Sequence, residues 1–252
     1  MSAPASLAKR VALQSGYETM SMLRNGEQLI LAIVLPLLAL IGLVVTPLLD
    51  SLVLEGAGDS RINIATPGVL ALCAMSTAFT GQGIATGFDR RYGVLRFLST
   101  TPLGRTGLIA GKAAAVIAVL ALQVLVIGTV AAFLGWRPEP AGIPAALLML
   151  VLGAAAFTAL GLLVAGTVRP EATLAITNLL WILLAAGGGI VIPAAALPGE
   201  LAAVVQVLPS GALGDALRDA MLAGDFNFFA LLVLAGWTAV AGLAASRWFK
   251  WS

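Results

Sequence analysis

The 252-residue chain contains no histidine and a single cysteine, Cys73. A disulfide within the chain is therefore impossible, as are a His/Cys metal cluster and a Ser–His or Cys–His catalytic dyad. No catalytic residue and no metal ligand is expected, and Cys73 reads as a small buried hydrophobe. Charge is scarce too, at 10% of residues against about 25% in a soluble domain. There is no GxxxxGK[ST] loop and no GxGxxG opening a soluble helix, so the chain does not bind ATP by the first motif or a dinucleotide by the second. A proton-driven carrier keeps ionisable groups within the bilayer. Here Asp89, Lys112 and Arg169 fall at the ends of apolar stretches, Glu171 falls in a short turn, and Asn178 is the strongest polar group at depth. That exclusion is firm for protons and weaker for sodium, which carbonyls and hydroxyls can hold. Energy for any uphill movement is expected from another subunit.

What is abundant is apolar length. Hydrophobic residues make up 60% of the chain, and mean hydropathy is +1.02. Six stretches, 28–49, 64–87, 108–134, 143–167, 174–195 and 226–246, are each long enough for a helix that needs roughly 20 residues to cross the hydrocarbon core. The expected fold is all-α: one polytopic membrane domain over 1–252 with six transmembrane helices. The first stretch is too long for a signal-peptide core and is preceded by scattered charges, so it reads as a retained helix.

Basic residues set the orientation. Lys9, Arg10, Arg24, Arg90, Arg91, Arg96, Arg105, Lys112, Arg169, Arg247 and Lys250 fall in one alternating set of segments, and only Arg61, Arg137 and Arg218 in the other. By the positive-inside rule both termini face the cytoplasm. Arginine outnumbers lysine and alanine and glycine are plentiful, a composition suggesting a GC-rich genome; the expected location is the cytoplasmic membrane of a bacterium.

Three connections carry more than loop character. Residues 6–24 predict an interfacial helix on the lipid surface. The connection 88–112 reads FDRRYGVLRFLSTTPLGRTGLIAGK. On a helix Val94, Leu95 and Leu98 share a face, Arg96 points away, and Pro102 stops or bends the chain. A short surface helix with an apolar face suits docking into a partner's groove. In the segment 196–225, Ser210 is expected to cap a helix whose Leu213, Ala216, Leu217, Ala220 and Met221 form one face, with Asp215, Arg218 and Asp219 on the other sides and Gly224 as a stop. LAAVVQV before it is too short to span and reads as re-entrant or lying on the outer surface, and the segment suggests an external lid over a pathway. Gly187, Gly188 and Gly189 suggest a hinge or helix break in the fifth stretch.

The ordered set of features resembles the permease subunits of type-2 ABC exporters (ABC-2), in particular the drug-resistance class that includes daunorubicin exporters. The likeness covers essentially the whole chain. It starts at MLRNGEQLILAIVLPLLAL, with its basic lead-in and Pro36. Its centre is DRRYGVLRFLSTTPLGRTGLIAGK, with Asp89, Arg90, Arg91, Gly93, Leu95, Leu98, Pro102, Arg105 and Lys112. Its end is the run from Asn178 through Pro193, Pro198 and Pro209. Asp89 departs from the family's commoner glutamate, and Gly187 to Gly189 replace a frequent serine-glycine pair.

The resemblance implies that two permeases, identical or paralogous, pair in the lipid bilayer and that each binds a cytoplasmic ATPase, which holds the ATP and Mg; this chain binds no cofactor itself. Residues 90–102 would be the coupling helix, with Asp89, Arg90, Arg91, Gly93, Val94, Leu95, Arg96, Leu98, Pro102 and Arg105 as its coupling residues. Pathway or gate candidates are Asn178, Gly187, Gly188, Gly189, Pro193 and Pro209. The cargo would be hydrophobic or amphipathic, a drug or a lipid-like molecule, and no nucleic-acid partner is expected. The alternative is an ATP-independent channel, a sodium-coupled carrier or an assembly factor.

Overall fold

The computed structural model describes residues 5–50 and 61–249, and every regular element among them is helical. Helix α1 (Leu7–Arg24) is capped by the Ser6 hydroxyl and followed by α2 (Gly26–Val45). A 31-residue rod, Arg61–Arg91, comprises α3 (Arg61–Met75), a π-helical segment (Ser76–Gly81) and α4 (Gln82–Arg91). A short α5 (Val94–Ser99) leads to α6 (Gly104–Phe133), α7 (Ile143–Thr167) and α8 (Pro170–Gly187). Two further short helices, α9 (Gly199–Gln206) and α10 (Pro209–Arg218), precede a π-helical turn (Asp219–Ala223) and α11 (Phe228–Trp248). Prolines sit in the first turn of α7, α8 and α10, where the missing amide hydrogen is not needed. Asn227 opens α11 by accepting the Ala230 amide at 2.8 Å.

Five helices among the described residues, Arg61–Arg91, Thr106–Phe133, Pro140–Thr167, Pro170–Gly187 and Phe228–Trp248, are long and apolar enough to cross a bilayer, and α2 adds a shorter apolar run, Ala32–Val45. The protein is an all-α, multi-pass membrane protein. The Arg61–Arg91 rod is its axis, with 89% of its apolar window buried inside the molecule, against 11% for α8.

Lipid tails are as apolar as leucine, so helices here are held by close packing and internal hydrogen bonds. A Cβ on Gly161 of α7 would stand 2.6 Å from the Phe79 carbonyl oxygen of the π segment. Gln123 of α6 accepts from the Thr77 hydroxyl at 3.0 Å and donates to the Ala32 carbonyl at 2.7 Å. Trp181 of α8 donates its indole N–H to Ser76 at 2.9 Å. Four of the surrounding helices thus meet the rod at or near its π segment.

Several boundaries differ from expectation. The second stretch, 64–87, lies within a longer helix, Arg61–Arg91, whose polar groups at the far end find partners inside the bundle. The fifth ends at Gly187 rather than 195. Gly189 takes φ +81°, a left-handed conformation that suits glycine, and Pro193 cannot continue a helix. Ser210 is not a cap: Pro209 occupies the first turn, Ser210 lies within the helix, and its hydroxyl lacks a hydrogen-bond partner among the described residues. The predicted face from Leu213 to Met221 is buried, but so is Arg218, which does not lie on an outer side. Helix α10 is inserted among α3, α7 and α11. Its Leu213 touches Gly153, ten residues into α7 and so about 15 Å from that helix's start. It packs inside the bundle, and Gly224 at φ +75° ends the segment as expected.

Candidate functional site

The Arg-rich connection folds against one end of the bundle. After Arg91 the chain turns at Gly93, φ +74°, into α5. Leu95 is fully buried and clusters with Leu103, Leu108 and Phe249, with Leu98 against them. The expected apolar face is therefore only partly inward: Leu95 and Leu98 anchor α5, while Val94 is 38% and Phe97 70% exposed. Arg96 is exposed, as expected. Helix α5 ends at Ser99, three residues before Pro102. The hydroxyls of Ser99, Thr100 and Thr101 each donate at 2.7 Å to the carbonyls of Arg96, Phe97 and Leu98, and the last two carbonyls also accept the amides of Thr100 and Thr101, so the helix end is satisfied locally.

The charged residues of this connection divide into two groups. Asp89 and Arg90 belong to the end of α4 and work inward. Asp89 accepts from the Lys112 ammonium at 2.9 Å. The Arg90 guanidinium donates to the Ala165 and Val168 carbonyls at 3.3 and 2.8 Å, at the C-terminal end of α7, where a cation suits the helix dipole. Arg91, Tyr92, Arg96 and Phe97 face outward, and Phe88 stacks on Tyr92 with ring centroids 6.2 Å apart. The result is an exposed aromatic and basic surface on a rigidly anchored corner. The side chain of Arg105, in the first turn of α6, lies outside the described residues. Lys112, counted in the sequence with the loop charges, is fully buried and also pairs with Glu18 of α1 at 3.0 Å. Glu18 carried no signal of this role, because only the packing of α1 on α6 brings it there.

The pathway candidates are only partly gathered. Gly188 and Gly189 meet α10 just past Pro209: a Cβ on Gly188 would stand 2.5 Å from the Ser210 hydroxyl oxygen, and one on Gly189 would stand 2.8 Å from the Gly211 Cα. Gly187 borders them in open space, and Pro193 precedes the turn Ala194–Ala196. Asn178 stands apart, exposed on α8 beside Leu174, Leu179, Ile182 and Leu183. A residue not singled out, Arg218, ties this junction together. It donates to the Gly189 and Ile190 carbonyls at 2.6 and 2.8 Å and to Asp215 at 2.7 Å. Among the described residues no group of three or more His, Cys, Asp or Glu side chains could hold a metal ion.

A helical multi-pass bundle whose long basic connection forms an anchored, outward-facing corner has the organisation of a transport permease. The sequence model of the family described as ABC-2 type transporter matches residues 15–222, well over half of the chain. The protein belongs to that family: it is the membrane permease part of an ABC transporter, a transporter domain rather than an ATPase, and the family works with an ABC ATPase subunit. No curated protein matches the chain.

Proposed function

We propose that this permease is half of the membrane part of an ATP-driven exporter in a bacterial cytoplasmic membrane. In this reading α2 is a span too, the first of six, both termini are cytoplasmic, and the basic end of the bundle receives the ATPase. The observation that carries it is the corner at Arg91–Ser99. Its Leu95 is locked into the bundle while Tyr92, Phe97, Arg91 and Arg96 are presented outward, so a force on the outer face moves the rod through α4. Aromatic and arginine side chains are the types that anchor protein interfaces. The eleven-to-three split of basic residues supports the sidedness.

Two copies, or this chain and a paralogue, would pair along the largely unburied α8. Cargo would pass between them near the rod and α8 and leave past α9 and α10. The apolar exposed faces favour a hydrophobic or amphipathic cargo such as a drug or a lipid, in keeping with the daunorubicin-exporter class. Co-purification with the partner ATPase tests the docking. The double substitution Arg91→Glu/Arg96→Glu should reduce ATPase recovery about tenfold or more, since like-charge contacts at an interface cost several kcal/mol. Unchanged recovery after deletion of 90–102 would sink the assignment.

A further inference from the structure

Lys112 lies two turns inside α6 with its side chain fully buried. A buried ammonium persists only when paired and hydrogen-bonded. This one has two carboxylates, and they come from different elements: Glu18 of α1 at 3.0 Å and Asp89 of α4 at 2.9 Å. The contacts around the triad fix its members. Gln14 donates to Glu18 at 2.9 Å, and α1 lies so close to α6 that a Cβ on Gly111 would stand 2.7 Å from the Gln14 Cγ. Gln82 at the start of α4 adds a second, weaker link to α1 through the Met22 sulfur at 3.6 Å.

Two acids on one base is a poor arrangement if stability is the only purpose. An apolar residue, or a single acid, would hold α6 at lower desolvation cost, and the best-attested use of buried ionic groups is to fix register. Asp89 lies four residues before Gly93, where the chain turns into α5. Its bond to Lys112 therefore sets where α5 sits, and the Glu18 bond ties that same point to α1.

We propose that Lys112 is a positioning residue for coupling: through Asp89 and Glu18 it makes α1, the start of α6 and the α4–α5 corner one moving unit. Helix α1 thereby becomes a second lever on the rod, so a shift of α5 is shared with α1 rather than absorbed in a hinge at Gly93. This inference rests on the reading of α5 as the ATPase-coupling element.

The test uses the full chain in nanodiscs, alone and with its ATPase. The triple variant Glu18→Gln/Asp89→Asn/Lys112→Met removes the ion pairs without stranding a charge; Glu18→Gln alone keeps Lys112 paired to Asp89 and guards against misfolding. Lys112→Arg is the conservative control. In the chain alone, amide exchange at 94–99 should quicken about tenfold or more in the triple variant, the order that loss of the charge-assisted bond between Lys112 and Asp89 implies. Glu18→Gln should quicken exchange in 7–24, and Lys112→Arg should leave both segments protected. In the complex, the triple variant should retain the ATPase but lose the permease's stimulation of ATP hydrolysis, which the Lys112→Arg variant should keep. Unchanged exchange at 94–99 in the triple variant, or at 7–24 in Glu18→Gln, would overturn the positioning role. If instead the unaltered chain bound no ATPase, the coupling reading would fall, while the exchange measurement would still decide what Lys112 holds in place.

Discussion

Arg218 places a guanidinium where only 5% of the residue is exposed. Its partners are two carbonyls just past the end of α8 and the carboxylate of Asp215, which lies one turn earlier on α10. Removing the cation leaves that carboxylate and those carbonyls without their donor. Arg218→Met should therefore cost about 3–5 kcal/mol, read as a lowered midpoint of thermal unfolding in detergent. Asp219, the next residue, is half-buried. Burial pushes its carboxyl above the ordinary value, with Asp215 and Asp225 adding to the rise and the Asn227 bond and Arg218 opposing it. A raised carboxyl means that the folded state binds the proton more tightly than the unfolded one. Stability thus falls as pH climbs from the ordinary carboxylate value through the raised one, and the loss is complete above it. Asp219→Asn should flatten that part of the stability–pH curve and raise stability at neutral pH, since Asn227 still finds an acceptor there.

At the scale of elements, the rod matters most where it departs from α-helical geometry. The π segment Ser76–Gly81 lets carbonyls of Ala78 and Phe79 approach Gly161, and such segments recur at functional positions in helices. A Cβ at Gly161 meets backbone that cannot move aside. Gly161→Ala should destabilise by about 1–3 kcal/mol, the usual cost of overpacking. Gly236→Ala, on an open stretch of α11, should be neutral or stabilising by up to about 1 kcal/mol, since glycine is the poorer helix former. Thermal unfolding of the two variants side by side measures the difference. Helix α8 is held at its inward side by Thr173 beside Gly87, Thr177 beside Gly83 and Trp181 on Ser76, which leaves the side carrying Asn178 exposed.

For the whole molecule, the exposed face of α8 is the test of pairing. An asparagine exposed at bilayer depth gains from a partner able to hydrogen-bond it. Asn178→Cys should give a cross-linked dimer with a short bis-thiol reagent in membranes, seen as a doubled mass on a denaturing gel. The native Cys73 is fully buried, so the unaltered chain should stay monomeric in that assay. A cross-linked yield no higher than that of the unaltered chain would argue against pairing through α8.

Hydropathy alone determined that the chain is helical and lives in a membrane, and charge asymmetry singled out the connection at 88–112. Both are properties of consecutive residues, and a bilayer selects on them directly. The tertiary structure decided what each charge does. Asp89, Arg90 and Arg91 are neighbours in sequence, yet the first two are turned into the bundle and the third faces outward, because α4 runs on to Arg91 and a helix sends adjacent side chains in different directions. The same holds for Lys112, which reads as a loop cation until α1 brings Glu18 against it, and for Arg218, which reads as a surface charge until α10 is found inserted among the membrane helices. Burial and ion pairing depend on which elements meet, and no local pattern of residues carries that information.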